Sequence, residues 1–175
     1  MRNVNRSWMA LVAAALLLGA LAGVIWAKPS DRPQSAEITR KVTLTGGDFI
    51  PARPESWDNS GQVVRCTSGR CFFNAPVVFP CLPSVTVERI KLHVRDDNGS
   101  SRAFADMYRD NPSRGAGNYL GYAASPEETS SGLKTYTSDP INKVVWPSQK
   151  ASIRLDIGGP NIDVYGVTVE YHRNI

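Results

Sequence analysis

Cysteine is the most reactive residue type in the chain. Its three copies, Cys66, Cys71 and Cys81, lie close together in the sequence. A zinc site needs about four ligands, with paired cysteines two to four residues apart. Gaps of four and nine residues, with His93 and His172 further along the chain, match that pattern poorly. What the cysteines do therefore depends on whether the chain leaves the reducing cytoplasm.

The amino-terminal sequence predicts that the chain leaves the cytoplasm. Arg2 and Arg6 precede an apolar stretch, residues 8–27, that contains no charged residue. A basic start followed by such a stretch is typical of an export signal, and small residues favour cleavage after Ala22 or after Ala27. If it is not cleaved, the stretch is long enough to anchor the chain in a membrane. Either way, we expect the remainder to be secreted, periplasmic or held at the outer side of a membrane.

Outside the cytoplasm, Cys66 and Cys71 are expected to form a disulfide. Only residues 67–70, which include a glycine, separate them, and β-prone runs lie on both sides at 62–66 and 71–79. This pattern predicts a β-hairpin with the two cysteines facing each other. Cys81 is left over, and we expect a buried apolar side chain, an intermolecular crosslink or a free thiol there.

The rest of the sequence repeats short runs of alternating apolar and polar residues, separated by turns. Residues 28–36 read as a flexible leader and residues 37–175 as one domain, in which no stretch of ten residues has helical periodicity. About nine strands are expected, with 48–61 and 125–132 as loops. This predicts an all-β fold, a single antiparallel β-sandwich or jelly roll, preceded by an apolar helix at the amino terminus.

Three details of the strands can be predicted from the same alternation. The runs 84–95 and 102–110 flank an Asp-Asp-Asn-Gly turn, which predicts a second hairpin. The apolar phase changes at Glu88-Arg89 and near Gly166, and a β-bulge is the simplest cause of each change. The closing run, 162–172, is apolar in both phases, so we expect a central strand.

Two segments resemble a group of uncharacterised secreted bacterial proteins. They read FFNAPVVFPCLPSVTVERIKLHVRDDNG, from Phe72, and IDVYGVTVEYHRN, from Ile162. In that group an aromatic-x-Ala-Pro segment ending in Leu-Pro leads into a long strand, and a Tyr-Gly-Val-x-Val-x-Tyr strand closes the domain. The chain departs from the group at Ser84, where a glycine commonly follows Leu-Pro. The resemblance implies a β-sandwich and attaches no activity to it.

Charge argues against a nucleic-acid partner. The sequence has 20 Lys and Arg against 16 Asp and Glu, a net charge of +4. Without Arg2 and Arg6 of the leader, 18 basic residues remain and the net charge is +2. No basic run is longer than Arg40-Lys41, whereas nucleic-acid binding requires clustered positive charge.

Aromatic residues in or beside the predicted loops are the better candidates for recognition. Exposed rings are rigid platforms on which a sugar can lie at little cost in side-chain entropy. The favoured alternative is that Trp146 and Tyr108 belong to the core of the sandwich or to a lid over it, because half-buried strands favour aromatics. The candidates are Trp57, Tyr108, Tyr119, Tyr122 and Trp146.

Acidic residues offer two further kinds of site. Asp96, Asp97, Asp106 and Asp110 could gather oxygen ligands for Ca²⁺, but they lack the alternating ladder of a calcium loop. A solvated turn is therefore the favoured interpretation. Glu127-Glu128 or the Asp106 and Asp110 pair could supply the two carboxyls of a glycoside hydrolase. Neither pair has neighbours in the sequence that would raise one pKa, and no cofactor is expected.

Three functions follow from these observations. The first is an exported, non-catalytic structural or interaction module of the cell envelope or outer surface, with a protein or glycan partner. The second is a carbohydrate or surface-ligand binding domain that uses the loop aromatics, and the third is a hydrolase. Self-association through Cys81 or through an unpaired edge strand at 38–45 is also open.

Overall fold

The computed structural model describes residues 38–53, 57–80, 84–109 and 117–174. Within these ranges the chain forms twelve strands and one turn of 3-10 helix, Gly46–Asp48. The strands are β1 Arg40–Thr45, β2 Ile50–Pro51, β3 Trp57–Asn59, β4 Val64–Cys66, β5 Cys71–Val77, β6 Val85–Asp96, β7 Ala103–Arg109, β8 Asn118–Ala124, β9 Ser130–Thr137, β10 Lys143–Val145, β11 Ala151–Ile157 and β12 Ile162–Arg173.

The number of strands exceeds the expected nine mainly because of two short strands. β2 and β3 have two and three residues and lie within 48–61, which the sequence predicts as a loop. So few residues contain too little alternation to be recognised. β9 also begins earlier than expected, at Ser130, inside the second predicted loop.

Two antiparallel sheets build the fold, as predicted for a β-sandwich. In the seven-stranded sheet, β12 pairs with β6 along one edge and with β1 and β4 along the other. β3 lies beyond β4, and β9 and β10 lie beyond β6. The five-stranded sheet has the order β2-β5-β11-β7-β8.

Alternate side chains of both sheets form one buried core. Each long strand places every second residue inward, as in the pattern of Phe73, Ala75 and Val77 on β5. Facing residues from the other sheet, such as Leu92 and Val169, are fully buried in the same cluster. β12 is buried along most of its length, which confirms that the closing strand is central.

Both predicted register shifts are present where β12 pairs with β6. Arg89 lies opposite Glu170 and Val87 opposite Tyr171, so Glu88 is an extra residue. The second shift lies between Val164 and Gly166 of β12. A side chain at Gly166 would bring a Cβ to 2.5 Å from the Leu44 carbonyl oxygen, so β1 can pair there only because the residue is glycine.

Both predicted hairpins are wrong. β4 belongs to the seven-stranded sheet and β5 to the five-stranded one, and the same is true of β6 and β7. Turn residues between two β-runs do not distinguish a hairpin from a connection that crosses between sheets. The disulfide between Cys66 and Cys71 is nevertheless present, with Cα atoms 5.8 Å apart. It therefore joins the two sheets to each other.

Several predictions fall on parts of the chain that are not described. The apolar segment 8–27, the leader 28–36, Cys81 and Asp110 all lie outside the described residues. Within the described ranges, no helix has the length and apolar character needed to cross a bilayer.

Candidate functional site

The five candidate aromatics divide into three groups in the structure. Trp57 lies on β3, half-buried, with its ring edge-on to Phe73 at 5.9 Å, and it packs against the core. Trp146 follows β10 in a turn and is 55% exposed. Tyr108, Tyr119 and Tyr122 lie on the neighbouring strands β7 and β8, rather than in loops.

The three tyrosines share the outer surface of the five-stranded sheet with Phe104, and we call these four residues the tyrosine face. The rings of Tyr108 and Tyr119 are 5.5 Å apart and edge-to-face, while those of Phe104 and Tyr122 are 6.2 Å apart and tilted. Tyr119 is 48% exposed and Tyr122 51%. The tyrosine face therefore presents two accessible rings, each supported by an inner one.

A register shift puts Tyr119 and Tyr122 on one side of the sheet. Residues three apart on a regular strand point to opposite faces. Here Gly121 pairs with Met107 and Tyr119 with Tyr108, so Leu120 is an extra residue in β8. Leu120 turns inward and is buried. Sequence reasoning missed this arrangement; the odd spacing of two exposed tyrosines was the signal that could have revealed it.

Polar groups lie beside the rings. Arg154 Nη2 donates to Asp106 Oδ2 at 2.7 Å, and the Arg154 guanidinium lies 5.4 Å from the centre of the Tyr108 ring. Arg102 lies 4.8 Å from the Phe104 ring centre. Cations over ring faces of this kind are stabilising and hold the guanidinium groups in place. The tyrosine face thus combines apolar rings with fixed hydrogen-bond donors and acceptors.

The hydroxyls of Tyr108 and Tyr119 remain protonated over a wide pH range. Burial, with a further contribution from the Asp106 carboxylate, raises the pKa of Tyr119 to about 12. The pKa of Tyr108 is raised for the same reasons. A neutral phenol both donates and accepts a hydrogen bond, as a sugar hydroxyl does.

A groove runs beside β8, the edge strand of the five-stranded sheet, between that strand and the segment 136–143. Its volume is about 630 Å³, within the range of small-ligand sites. Tyr119 and Tyr122 line it together with Tyr136, and Arg102 and Asp139 add charged groups. The two accessible tyrosines therefore border both the groove and the outer surface of the sheet.

A second concavity surrounds Trp146, and we call it the tryptophan cleft. It has a volume of about 290 Å³ and is lined by Pro76, Phe79, Trp146 and Lys150, among others. The turn that carries Trp146 is fixed at both ends: Gln149 N donates to the Trp146 carbonyl at 2.9 Å, and Trp146 N donates to Gln149 Oε1 at 3.1 Å. The exposed indole is thus held on a defined turn.

The three candidate calcium ligands that the structure describes, Asp96, Asp97 and Asp106, do not lie in one place. Asp96 is buried at the end of β6, where it accepts hydrogen bonds from Ser125 Oγ at 2.6 Å and from Asn98 N at 3.1 Å. Asp97 lies 3.3 Å from Arg95, whereas Asp106 is in the other sheet. Among the described residues, no group of three or more His, Cys, Asp or Glu side chains is placed to hold a metal ion.

Carboxylates do meet at one recess, although not those proposed from the sequence. Glu88 and Glu170 both line it. Hydrogen bonding and charge from Lys91, with a smaller contribution from Lys41, lower the pKa of Glu170 despite its burial. A general acid requires the opposite shift. Of the candidates from the sequence, Glu127 and Glu128 are both exposed, and Glu127 lies 3.4 Å from Arg102. Asp106 is paired with Arg154.

Comparison with known proteins gives structural similarities only. No family model matches the sequence, and no curated protein sequence matches it. The CBM36-1 domain of a xylanase from the hindgut metagenome of Trinervitermes trinervoides is 12% identical, with 74% of this chain and 96% of that chain covered and a TM-score of 0.48. The xylan-binding module CBM15 is 14% identical, with 79% and 99% covered and a TM-score of 0.47.

A third similar structure is the C-terminal CBM6 of a marine laminarinase from Zobellia galactanivorans. It is 15% identical, covers 74% of this chain and 98% of its own, and has a TM-score of 0.45.

Proposed function

We propose that this chain is a non-catalytic, exported carbohydrate-binding domain that holds a sugar chain against Tyr119 and Tyr122. The observation that carries the proposal is the pair of half-exposed tyrosines on one face of β8, each backed by a second ring. Flat, rigid rings offer apolar contact area at little cost in conformational entropy.

The surroundings of the two rings suit a sugar. A pyranose has an apolar C–H face, which can lie on a tyrosine ring, and a rim of hydroxyls that need hydrogen-bond partners. The Asp106 carboxylate and the Arg154 guanidinium supply such partners beside the rings. Because the ion pair already holds both side chains in place, binding a sugar costs little of their conformational entropy.

Export is part of the proposal. The apolar segment 8–27 that follows Arg2 and Arg6 supports it, and so does the disulfide between Cys66 and Cys71, since disulfides persist mainly outside the cytoplasm. The resemblance to secreted bacterial proteins is in keeping with the same location. A glycan partner gives the non-catalytic surface module a definite role, so this function takes precedence over a purely structural one.

Affinity electrophoresis tests the proposal. The exported protein is run through gels that contain xylan, β-1,3-glucan, mannan or polygalacturonate, and we expect one or more of these to retard it. Tyr119→Ala and Tyr122→Ala should each weaken binding at least about tenfold in calorimetry, because each removes one ring platform.

Leu133→Ala is the matched control. Leu133 is 58% exposed on β9, so its truncation removes a comparable exposed apolar side chain away from the tyrosine face. Equal migration of the wild type in all gels and in a gel without polysaccharide would refute the proposal. Equal loss of binding in Leu133→Ala would also contradict it.

A further inference from the structure

The tyrosine face and the tryptophan cleft lie at two ends of one row across the five-stranded sheet. Pro76 on β5 pairs with Ser152 on β11, Ser152 pairs with Tyr108 on β7, and Tyr108 pairs with Tyr119 on β8. Three strand spacings of about 4.8 Å make this row roughly 14 Å long between its outer Cα atoms.

An aromatic side chain lies at or beside each end of the row. Pro76 and Trp146 line the tryptophan cleft together, and Trp146 is 55% exposed. At the other end, Tyr119 stands 48% exposed beside Tyr108. Ser152, between them, has the smallest side chain of the row. The hydroxyl oxygen of Ser152 is covered by its neighbours. The row therefore has a ring platform near each end, and we call the surface between the two platforms the trough.

A second row of polar residues runs alongside the trough. Asn74 pairs with Arg154, Arg154 with Asp106, and Asp106 with Tyr122. Asn74, Arg154 and Asp106 each lie two positions along their strands from the first row, a distance of about 6.6 Å. Tyr122 lies three positions from Tyr119, because Leu120 is an extra residue in β8. Amide, guanidinium, carboxylate and phenol groups therefore follow the trough from β5 to β8, within reach of the hydroxyls of a chain lying in it.

We propose that the trough binds several consecutive units of a linear polysaccharide, with Trp146 as a far subsite and Tyr119 as a near one. This inference rests on the proposed carbohydrate-binding function and specifies its ligand as an extended, unbranched chain. A disaccharide reaches only one platform, whereas a longer segment contacts both at once. The second contact adds no further loss of translational freedom, so affinity rises with chain length.

The test compares a disaccharide and a hexasaccharide of whichever polysaccharide retards the wild-type protein most. By calorimetry, the hexasaccharide should bind at least about tenfold more tightly than the disaccharide. Trp146→Ala should remove most of that difference and leave disaccharide binding within about twofold of wild type. Trp146→Phe, which keeps a ring, should retain most of it.

The outcomes separate the two proposals. Equal affinity for both oligosaccharides, or an unchanged hexasaccharide affinity in Trp146→Ala, would overturn the extended trough, while loss of binding in Tyr119→Ala would still support carbohydrate binding at β8. If no polysaccharide retards the wild type, both proposals fall. Because Trp146 is half-exposed on a turn, circular dichroism should show that its variants keep the wild-type fold.

Discussion

Individual polar residues on the outer surface of the seven-stranded sheet are held by short, specific contacts. His93 lies between two threonines, with Nδ1 2.9 Å from Thr135 Oγ1 and Nε2 2.9 Å from Thr168 Oγ1. Burial, and to a lesser degree the charge of Lys91, lower the pKa of His93. This is the structural histidine that its place in a β-patterned run suggests, rather than a member of a catalytic pair.

His93 should make the protein less stable in mild acid. Its pKa is lower in the folded state, so the unfolded chain takes up the proton first, and stability is lost as pH falls below the unfolded value of about 6.5. NMR titration should place the His93 midpoint below that value, and His93→Gln should flatten the pH dependence of thermal unfolding in this window. A midpoint at or above 6.5 would contradict the burial argument. His172→Gln assigns the resonances.

At the scale of the strand, alternation in the sequence predicts a large part of the fold. It identifies β6, β11 and β12, and it locates the register shifts at Glu88 and near Gly166, because a change of apolar phase has few other causes. It does not say which strands are partners. Cys66 and Cys71 look like the ends of a hairpin, yet they lie in different sheets, since pairing is decided by distant strands that bury the same core.

The tyrosine face likewise shows what the sequence alone does not predict. Tyr108, Tyr119 and Tyr122 can be recognised from the sequence as candidates, but Trp57 cannot be separated from them, because a ring beside a loop can face either way. Their assembly depends on the extra residue Leu120 and on the pairing of β7 with β8. Arg154 comes from β11, which is far from both in sequence, so no local pattern indicates its place beside Tyr108.

The close approach of β1 to β12 at Gly166 can be tested by mutation. Gly166→Ala would place a Cβ against the Leu44 carbonyl, a backbone atom that can move only with β1. We expect a loss of about 1–3 kcal/mol in the free energy of unfolding, measured with urea. Gly99→Ala is the control, because its Cβ would meet only Thr129 at 3.4 Å. Similar losses in both variants would show that crowding at β1 is not the cause.

At the scale of the whole fold, a disulfide bond links the two sheets in addition to the chain segments that cross between them. Cys66 ends β4 of the seven-stranded sheet, and Cys71 begins β5 of the five-stranded one. Both are buried in the core, so the bond lies within the packed interface rather than on a surface turn. The chain between them is short, which keeps its contribution to stability at the low end of the usual range.

Removing the disulfide should therefore weaken the fold without abolishing ligand binding. We expect the double variant Cys66→Ala with Cys71→Ala to lose about 2 kcal/mol, or roughly 4–8 °C in Tm, by calorimetric unfolding. Polysaccharide binding at Tyr119 and Tyr122 should persist below the new Tm, since the tyrosine face lies on β7 and β8. An unchanged Tm would show that the disulfide adds nothing to the stability that packing of the two sheets provides.

The position of β12 also bears on how such a chain is made. It follows the other eleven described strands in sequence, yet β1, β4 and β6 all pair with it. These three strands lack their common neighbour until the ribosome has synthesised residues 162–173. The seven-stranded sheet can therefore close only after translation has passed residue 173, and folding of this sheet must follow synthesis of its central strand rather than accompany synthesis of β1, β4 and β6.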